Sequence, residues 1–197
     1  MIRIISTTIA RWYSTPVMVC FLILATVLLW VFNFSSLPIS NSELIKLSGG
    51  QGLLDLKLYY SGHEATQILA SYGDAGRAFY RNYLIFDFFF PLMYGFGLAW
   101  MLTLIARKAF GPNSRWMHVN LLPVGIASAD YVENLCILWM LQAFPENNLW
   151  AGTVAGIATV TKHILTIGTL RCMAVGSGAL VARRYGFFQR WLKPQNL

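Results

Sequence analysis

Charged residues are scarce in this sequence, and cysteine is scarcer still. Only 12% of the 197 residues are charged and 56% are hydrophobic, a balance far from that of a soluble globular protein and close to that of a membrane protein. The three cysteines, Cys20, Cys136 and Cys172, each fall inside an apolar stretch and form no C-x-x-C pair. We therefore expect neither disulfide bonding nor thiol redox chemistry.

Histidine is also rare. His63, His118 and His163 are far apart, and no Cys/His spacing typical of a zinc site links them. Their different predicted depths in the membrane also argue against haem ligation. The sequence therefore predicts no metal and no cofactor.

Acidic residues number eight against 15 lysines and arginines, which gives a formal net charge of +7. Such a balance can indicate nucleic-acid binding, but no motif for it is present. The positive residues instead flank apolar segments, as topology signals do. They are Arg3, Arg11, Arg107, Lys108, Arg115, Arg183, Arg184, Arg190 and Lys193. We expect membrane lipids, and no nucleic acid, as partners.

Four apolar runs are long enough to cross a bilayer. They cover residues 17–34, 83–106, 118–143 and 149–171. The first lacks a small-residue cleavage pattern, so we interpret it as a retained helix and not as a signal peptide. The basic loop after the second run and the basic tail at 183–197 predict that both termini are cytoplasmic. The chain is thus predicted to be one membrane domain, an all-α bundle of four transmembrane helices.

The loop of residues 35–82 is too long for a simple connector. Apolar and aromatic side chains alternate along one stretch of it, at Leu54, Leu56, Leu58 and Tyr60. This period predicts a strand, which would pair with residues 43–47 across the Gly49-Gly50-Gln51-Gly52 turn. We therefore predict a β-hairpin in this outer loop.

An amphipathic helix is predicted to follow the hairpin. Ser61 and Glu64 have the spacing of a capping box, and apolar residues then recur at helical intervals up to Gly73. The hairpin and helix together form a small predicted outer subdomain, available for contact with a membrane-protein partner.

Ionisable side chains inside the predicted spans are the most informative feature. In span three, Asp130, Glu133 and Asn134 share one helix face. A carboxylate facing lipid costs roughly 2.5–3.5 kcal/mol on insertion scales, so these residues must face protein or water. Because spans three and four form an antiparallel hairpin, Lys162 and His163 come to a similar depth.

Span two adds two further polar residues to this set. Asp87 and Tyr94 share a face with Pro91, which leaves the carbonyl of Asp87 without its helical donor and predicts a bend. The predicted polar cluster, a candidate ligand site, comprises Asp87, Tyr94, Asp130, Glu133, Asn134, Lys162 and His163. The same residues are also compatible with a self-satisfied network that only fixes helix register.

Span four carries a stripe of small and polar residues that includes a GxxxG spacing. Its members are Gly152, Gly156, Thr159, His163 and Thr166. Such a stripe permits close contact between helices.

Three functions are compatible with these residues. The first is binding of a small ligand or lipid. The second is an intramembrane enzyme for a lipid-like substrate, with Glu133 or Asp130 as acid or base and Lys162 or His163 assisting. The third is movement of protons or ions. The residue types alone serve all three, so the choice between them stays open.

Two motifs resemble those of a group of uncharacterised four-pass bacterial membrane proteins. They are Asp87-Phe-Phe-Phe-Pro91-Leu-Met-Tyr94-Gly95 and Asp130-Tyr-Val-Glu133-Asn134. The preceding Leu53-Leu-Asp55-Leu and the amphipathic helix look similar as well. This resemblance extends from about residue 50 to residue 170. It implies an inner-membrane location and carries no activity.

Overall fold

The computed structural model describes residues 2–146 and 148–186. Within these ranges the regular secondary structure is helical and no strand occurs. The helices are α1 (Ile2–Arg11), α2 (Thr15–Phe34), α3 (Asn41–Leu47), α4 (Gly62–Ser71), α5 (Gly73–Asp87), α6 (Phe89–Phe110), α7 (Leu121–Ala143) and α8 (Leu149–Arg184). Two 3₁₀ turns, Leu54–Leu56 and Arg115–Asn120, complete the set.

Four segments are long and apolar enough to cross a membrane, which confirms the number of spans predicted. They are Thr15–Phe34, Gly73–Phe110, Arg115–Ala143 and Leu149–Arg184. The protein is therefore an integral membrane protein built on four helices. Of the predicted basic tail, residues 187–197 lie outside the described residues.

Helix α8 is much longer than the predicted span of 149–171. Its 36 residues extend about 54 Å at the usual helical rise of 1.5 Å per residue. A hydrocarbon core is about 30 Å thick, so part of α8 must extend beyond it.

The four spanning segments pack unevenly. Helices α7 and α8 form a closely packed antiparallel pair, and α6 contacts α2, α7 and α8. Helices α2 and α8 make almost no direct contact with each other. We call the end of the bundle that carries residues 35–72 the outer end, and the opposite end the basic end.

The second span is interrupted where the bend was predicted. Helix α5 ends at Asp87 and α6 begins at Phe89, with Phe88 in a turn between them. Pro91 lies in the first turn of α6, where its missing N–H is tolerated. The hydroxyl of Tyr131 donates to the carbonyl of Phe88 over 2.8 Å. A side chain from α7 thus satisfies a backbone group at the break.

The predicted β-hairpin is wrong, because residues 43–47 belong to α3. Gly49 has a φ of +69°, and the N–H of Gly50 donates to the carbonyl of Ile45 over 2.9 Å. This bond is the one that closes a helix C-terminus with glycine in the left-handed region. The glycines therefore end a helix and do not form a hairpin turn.

The predicted partner strand is absent because its residues do not share a buried face. Leu54 and Tyr60 are buried, while Leu56 is 46% and Leu58 80% exposed. The neighbouring Leu53 is buried as well, which strand alternation does not permit. Residues 54–56 instead form a 3₁₀ turn that places two consecutive leucines in the core.

The outer segment, residues 35–72, packs against α8. Ser61 and Glu64 form the capping box at the start of α4, with each side chain accepting from the other residue's backbone N–H. A Cβ atom added to Gly152 would lie 2.8 Å from the Cα of Gly62, and Gly156 faces the carbonyl of Tyr60. The small-residue stripe of α8 therefore receives α4 and the residues just before it at these two positions.

Candidate functional site

Glu133 lies at the centre of the polar network and is completely buried. Its Oε2 is 2.7 Å from Nζ of Lys162, off the hydrogen-bonding direction, so this contact is an ion pair. Its Oε1 accepts from the hydroxyl of Tyr60 over 3.0 Å and from the hydroxyl of Thr159. Three different segments of the chain therefore meet at one carboxylate.

Lys162 also bonds to Asp130. Its Nζ donates to Oδ1 of Asp130 over 3.0 Å, and Oδ2 of Asp130 accepts from the hydroxyl of Tyr94 over 2.8 Å. One ammonium group thus serves two carboxylates, with their side chains 5% exposed or less. A buried charge needs such pairing to remain ionised.

Asp87 and Asn134 form a second polar pair next to this network. The side-chain amide of Asn134 donates to Oδ2 of Asp87 over 2.7 Å, and both residues are buried. The amide oxygen of Asn134 has no hydrogen-bond partner within the described part of the chain. Asp87 at the end of α5 and Asn134 on α7 hold the interrupted span against its neighbour.

A cavity of about 400 Å³ adjoins these groups. It is polar at the outer end, where Asp55, Asp87, Asp130, Lys162 and His163 line it. Apolar side chains line the part towards the basic end, namely Leu98, Ile126, Leu170 and Met173, and others, such as Leu29, Leu56 and Phe90, lie beside the charged groups. The cavity is therefore itself amphiphilic.

The cavity lies between α2 and α8, the two spanning helices that barely touch. Leu29 of α2 and Leu170 of α8 line it and are 45% and 59% exposed. In a membrane these exposed side chains face lipid. The gap between α2 and α8 is therefore bordered by exposed apolar side chains that suit contact with acyl chains.

His163 joins the cavity wall without contacting the acids of the network. Its Nε2 donates to the backbone carbonyl of Lys57 over 3.1 Å, which assigns the proton to Nε2. The structure therefore brings together six of the predicted cluster residues through two networks, and it turns His163 towards the outer loop. There it holds that loop over the cavity.

Asp55 is a cavity residue that was not predicted from the sequence. The predicted strand placed Asp55 between its apolar residues, whereas the 3₁₀ turn places the carboxyl among the cavity-lining groups. Burial raises the pKa of Asp55 to about 7, against the lowering effect of Lys162. The available signal was an acid enclosed by leucines in Leu53-Leu54-Asp55-Leu56.

Tyr60 is the second residue that was not predicted, and it is 1% exposed. Burial, followed by the nearby Glu133 carboxylate, raises the pKa of Tyr60 well above its usual range. The phenol therefore stays protonated and donates to Glu133. Its place could not be read from local pattern, since the contact spans 73 residues of sequence.

No protein-family model, curated protein or solved structure matches this sequence. The fold and the site define the class of protein without such a match. It is an integral membrane protein with four spanning segments and a buried polar network that adjoins a cavity between α2 and α8. The shape and lining of this cavity are therefore the best guide to its function.

Proposed function

We propose that the protein binds a small amphiphilic molecule or a lipid in the cavity between α2 and α8. The observation that carries this proposal is that a mostly apolar cavity holds a cluster of charged side chains in its outer half. Ligand cavities are typically apolar with a few placed polar groups, and about 400 Å³ lies within their usual size range.

The charge of the polar end favours a particular headgroup. Asp55, Asp87 and Asp130 line it against a single lysine, and Lys162 is already paired with Asp130 and Glu133. The free hydrogen-bonding capacity is thus mainly that of acceptors. A head that donates hydrogen bonds, through hydroxyl or amine groups, fits this end better than a phosphate.

Entry from the bilayer is supported by the scarcity of contacts between α2 and α8. A ligand that moves between α2 and α8 keeps its apolar part beside Leu29 and Leu170 while its head reaches the acids. This route avoids transfer of the apolar part through water, which is unfavourable in proportion to its area.

A pair of tryptophan substitutions on α8 tests the proposal. Thr166 lines the cavity, while Ile164 is 63% exposed on the same helix and does not line it. Thr166→Trp should fill the cavity, whereas Ile164→Trp adds the same ring on the lipid-facing side. The full-length proteins are purified in mild detergent, and the molecules that copurify are identified and counted by native mass spectrometry.

We expect wild type and Ile164→Trp to retain the same bound molecule, and Thr166→Trp to lose most of it. Unfolding temperature and elution volume show whether each variant is folded. If folded Thr166→Trp retains the molecule at the wild-type level, the ligand does not occupy this cavity and the proposal fails.

Acid or base catalysis on a lipid-like substrate is a second candidate function. It is supported by Asp55, whose pKa of about 7 suits proton transfer near neutral pH and whose carboxyl lines the cavity. Asp55→Asn should then keep the bound molecule but abolish its conversion, measured by product analysis of the copurified ligand. Equal conversion by both proteins would exclude Asp55 as the acid or base.

Proton or ion movement receives less support from the structure. The second large cavity, at the basic end, shares no lining residue with this one. We therefore favour binding over conduction. We also propose an inner-membrane location with cytoplasmic termini, which is supported by the arginines at the basic end.

A further inference from the structure

The basic end of the bundle contains a second cavity, of about 580 Å³. It lies between α1 and the segment that links α6 to α7. We call it the basic pocket, and its charged or ionisable lining residues are Arg3, Arg11, Arg107, Arg115 and His118. The basic pocket is separate from the cavity between α2 and α8, and its role is independent of the function proposed for that cavity.

No acidic side chain neutralises the basic pocket. All eight Asp and Glu residues of the sequence fall between Glu43 and Glu146, and none of them lines this pocket. None falls between Asp87 and Asp130 either, which is the stretch that contains the α6 to α7 link. Four arginines therefore converge on a cavity without a counter-ion from the lining.

The pocket is built by fixed contacts between α1 and the bundle. The hydroxyl of Ser6 donates to the carbonyl of Met117 over 3.1 Å, and Asn120 donates to the carbonyl of Ser6 over 3.1 Å. Arg107 of α6 donates to the carbonyl of Ala10 of α1 over 3.1 Å, and this bond joins the two walls of the pocket. These bonds hold the walls at a defined separation.

Several donors remain available inside this frame. The side chains of Arg3, Arg11 and Arg115 are exposed and make no ion pair or side-chain hydrogen bond within the described residues. The Nδ1 atom of His118 is buried and has no hydrogen-bond partner in the same part of the chain. Arginine's planar fork suits phosphate oxygens, which it binds through two parallel hydrogen bonds.

Exposed apolar side chains on α1 and on the link between α6 and α7 favour a lipid as the source of the phosphate. Ile4, in the first turn of α1, is 69% exposed, Trp12, just after its end, is 75% exposed, and Trp116 is 40% exposed. Exposed tryptophans near the ends of spanning helices are typical of the membrane interface, where lipid headgroups lie. A lipid bound here would place acyl chains against these residues and its phosphate among the arginines.

We propose that the basic pocket binds the phosphate group of an anionic phospholipid. The arginines provide the charge and the hydrogen bonds, while α1 provides the apolar contact for the chains. Basic pockets between helices at the membrane surface can recognise lipid headgroups in this way. The site would thus fix α1, and with it the basic end of the bundle, in the lipid interface.

The test uses the full-length protein in a neutral detergent. Phosphatidylglycerol, phosphatidylcholine or inorganic phosphate is titrated, and bound lipid is counted by native mass spectrometry. The main variant is Arg11→Gln with Arg115→Gln, and a second variant carries lysine at the same two positions. Arg184→Gln is the matched control, because Arg184 is an exposed arginine near the end of α8 that does not line the pocket.

We expect tight binding of phosphatidylglycerol over phosphatidylcholine, and a loss of about tenfold or more in the double glutamine variant. The lysine variant should fall between this variant and wild type, because it keeps charge but loses the planar fork. Arg184→Gln should bind as wild type does.

Three results would overturn the proposal. The first is equal binding of the two lipids by wild type. The second is unchanged binding by a double glutamine variant that elutes and unfolds as wild type does. The third is competition by inorganic phosphate at the affinity of the lipid, which would identify free phosphate as the ligand and exclude the phospholipid.

Discussion

Lys162 decides the charge state of the network, because it is the ammonium that contacts both Asp130 and Glu133. Its side chain is only 13% exposed, so little water can reach the two carboxylates to take the place of the ammonium group. Removing one partner of a buried ion pair leaves an uncompensated charge, which is far more destabilising than losing an exposed pair. Lys162 therefore stabilises the fold, whether or not it also contacts a ligand.

We predict that Lys162→Met destabilises the protein by about 3–5 kcal/mol. The reason is that both carboxylates lose their counter-charge in a dry site. Urea unfolding in detergent micelles, followed by tryptophan fluorescence, provides the measurement. Lys46→Met is the control, since Lys46 is 63% exposed and pairs with Glu43 on the surface. It should change stability little.

Adding Glu133→Gln to Lys162→Met should restore part of the lost stability. The second substitution removes one of the two acids and keeps side-chain oxygen for Tyr60 and Thr159. The coupling between the two substitutions follows from a double-mutant cycle. A double variant as unstable as the sum of the single ones would show that Lys162 and Glu133 do not interact.

Asp55 predicts a dependence of stability on pH. Its pKa rises from 3.8 to about 7 on folding, so the folded protein retains a proton that the unfolded chain releases. The stabilisation from this group is complete below about pH 4, declines as the pH rises to about 7 and is absent above it. Thermal unfolding of wild type and Asp55→Asn at pH 4, 5.5 and 8 measures this effect.

The Tm of wild type should therefore fall relative to the Tm of Asp55→Asn as the pH rises through this window. Asp74→Asn serves as a control, because the Asp74 side chain is fully exposed. If the difference in Tm between wild type and Asp55→Asn stays constant from pH 4 to pH 8, burial of this carboxyl is contradicted.

The sequence indicated some of these residues more easily than others. Lys162 and Asp130 lie equally far from the turn between two regular helices, so counting along the chain placed them at one depth. Asp55 lies in an irregular segment whose path depends on contacts with α8, such as that of Tyr60 with Gly156. Local periodicity contains no information about such a contact.

At the scale of elements, the packing of residues 35–72 against α8 determines whether the outer end of the cavity is covered. Gly156 faces the carbonyl of Tyr60 so closely that a methyl group cannot fit without movement. Gly152 meets Gly62 in the same manner one turn away. Glycine on α8 thus positions Tyr60, which in turn donates to Glu133.

We predict that Gly156→Ala destabilises the protein by about 1–3 kcal/mol, as overpacking of a buried contact does. The added Cβ displaces the Tyr60 backbone and weakens its bond to Glu133. Gly168→Ala is the matched control on the same helix, since its Cβ would meet only Leu122, at 3.9 Å. That variant should be as stable as wild type or slightly more so.

The measurement is again unfolding in detergent, together with hydrogen exchange of residues 53–61. Faster exchange there in Gly156→Ala than in Gly168→Ala is the expected sign of a displaced outer segment. Equal stability and equal exchange in the two variants would show that Gly156 does not hold this segment.

Helical elements were predicted better than the segment between them. Spanning helices are specified by long apolar runs, which are visible in the sequence whatever the tertiary contacts. The hairpin failed because Gly49 and Gly50 serve equally as turn residues and as a helix C-cap. Choosing between these roles requires knowing that Leu53 and Leu54 both enter the core.

For the whole molecule, the separation of charge gives the bundle its polarity. Residues 88–129, which include the link from α6 to α7, hold three basic residues and no acidic one. Residues 35–72 instead carry three acids, Glu43, Asp55 and Glu64, against two lysines, Lys46 and Lys57. Because positive residues remain on the cytoplasmic side during insertion, the lysine and arginines at the basic end predict one orientation.

We predict that the basic end faces the cytoplasm. Labelling of single introduced cysteines tests this orientation. In a variant with Cys20, Cys136 and Cys172 replaced, Asn113→Cys marks the α6 to α7 link and Lys46→Cys marks the outer segment. A membrane-impermeant maleimide applied to intact bacterial cells that express the protein should label Lys46→Cys alone. After permeabilisation it should label both, which serves as the control for accessibility. Labelling of Asn113→Cys in intact cells would reverse the orientation, and would place the arginines of the basic pocket on the outside.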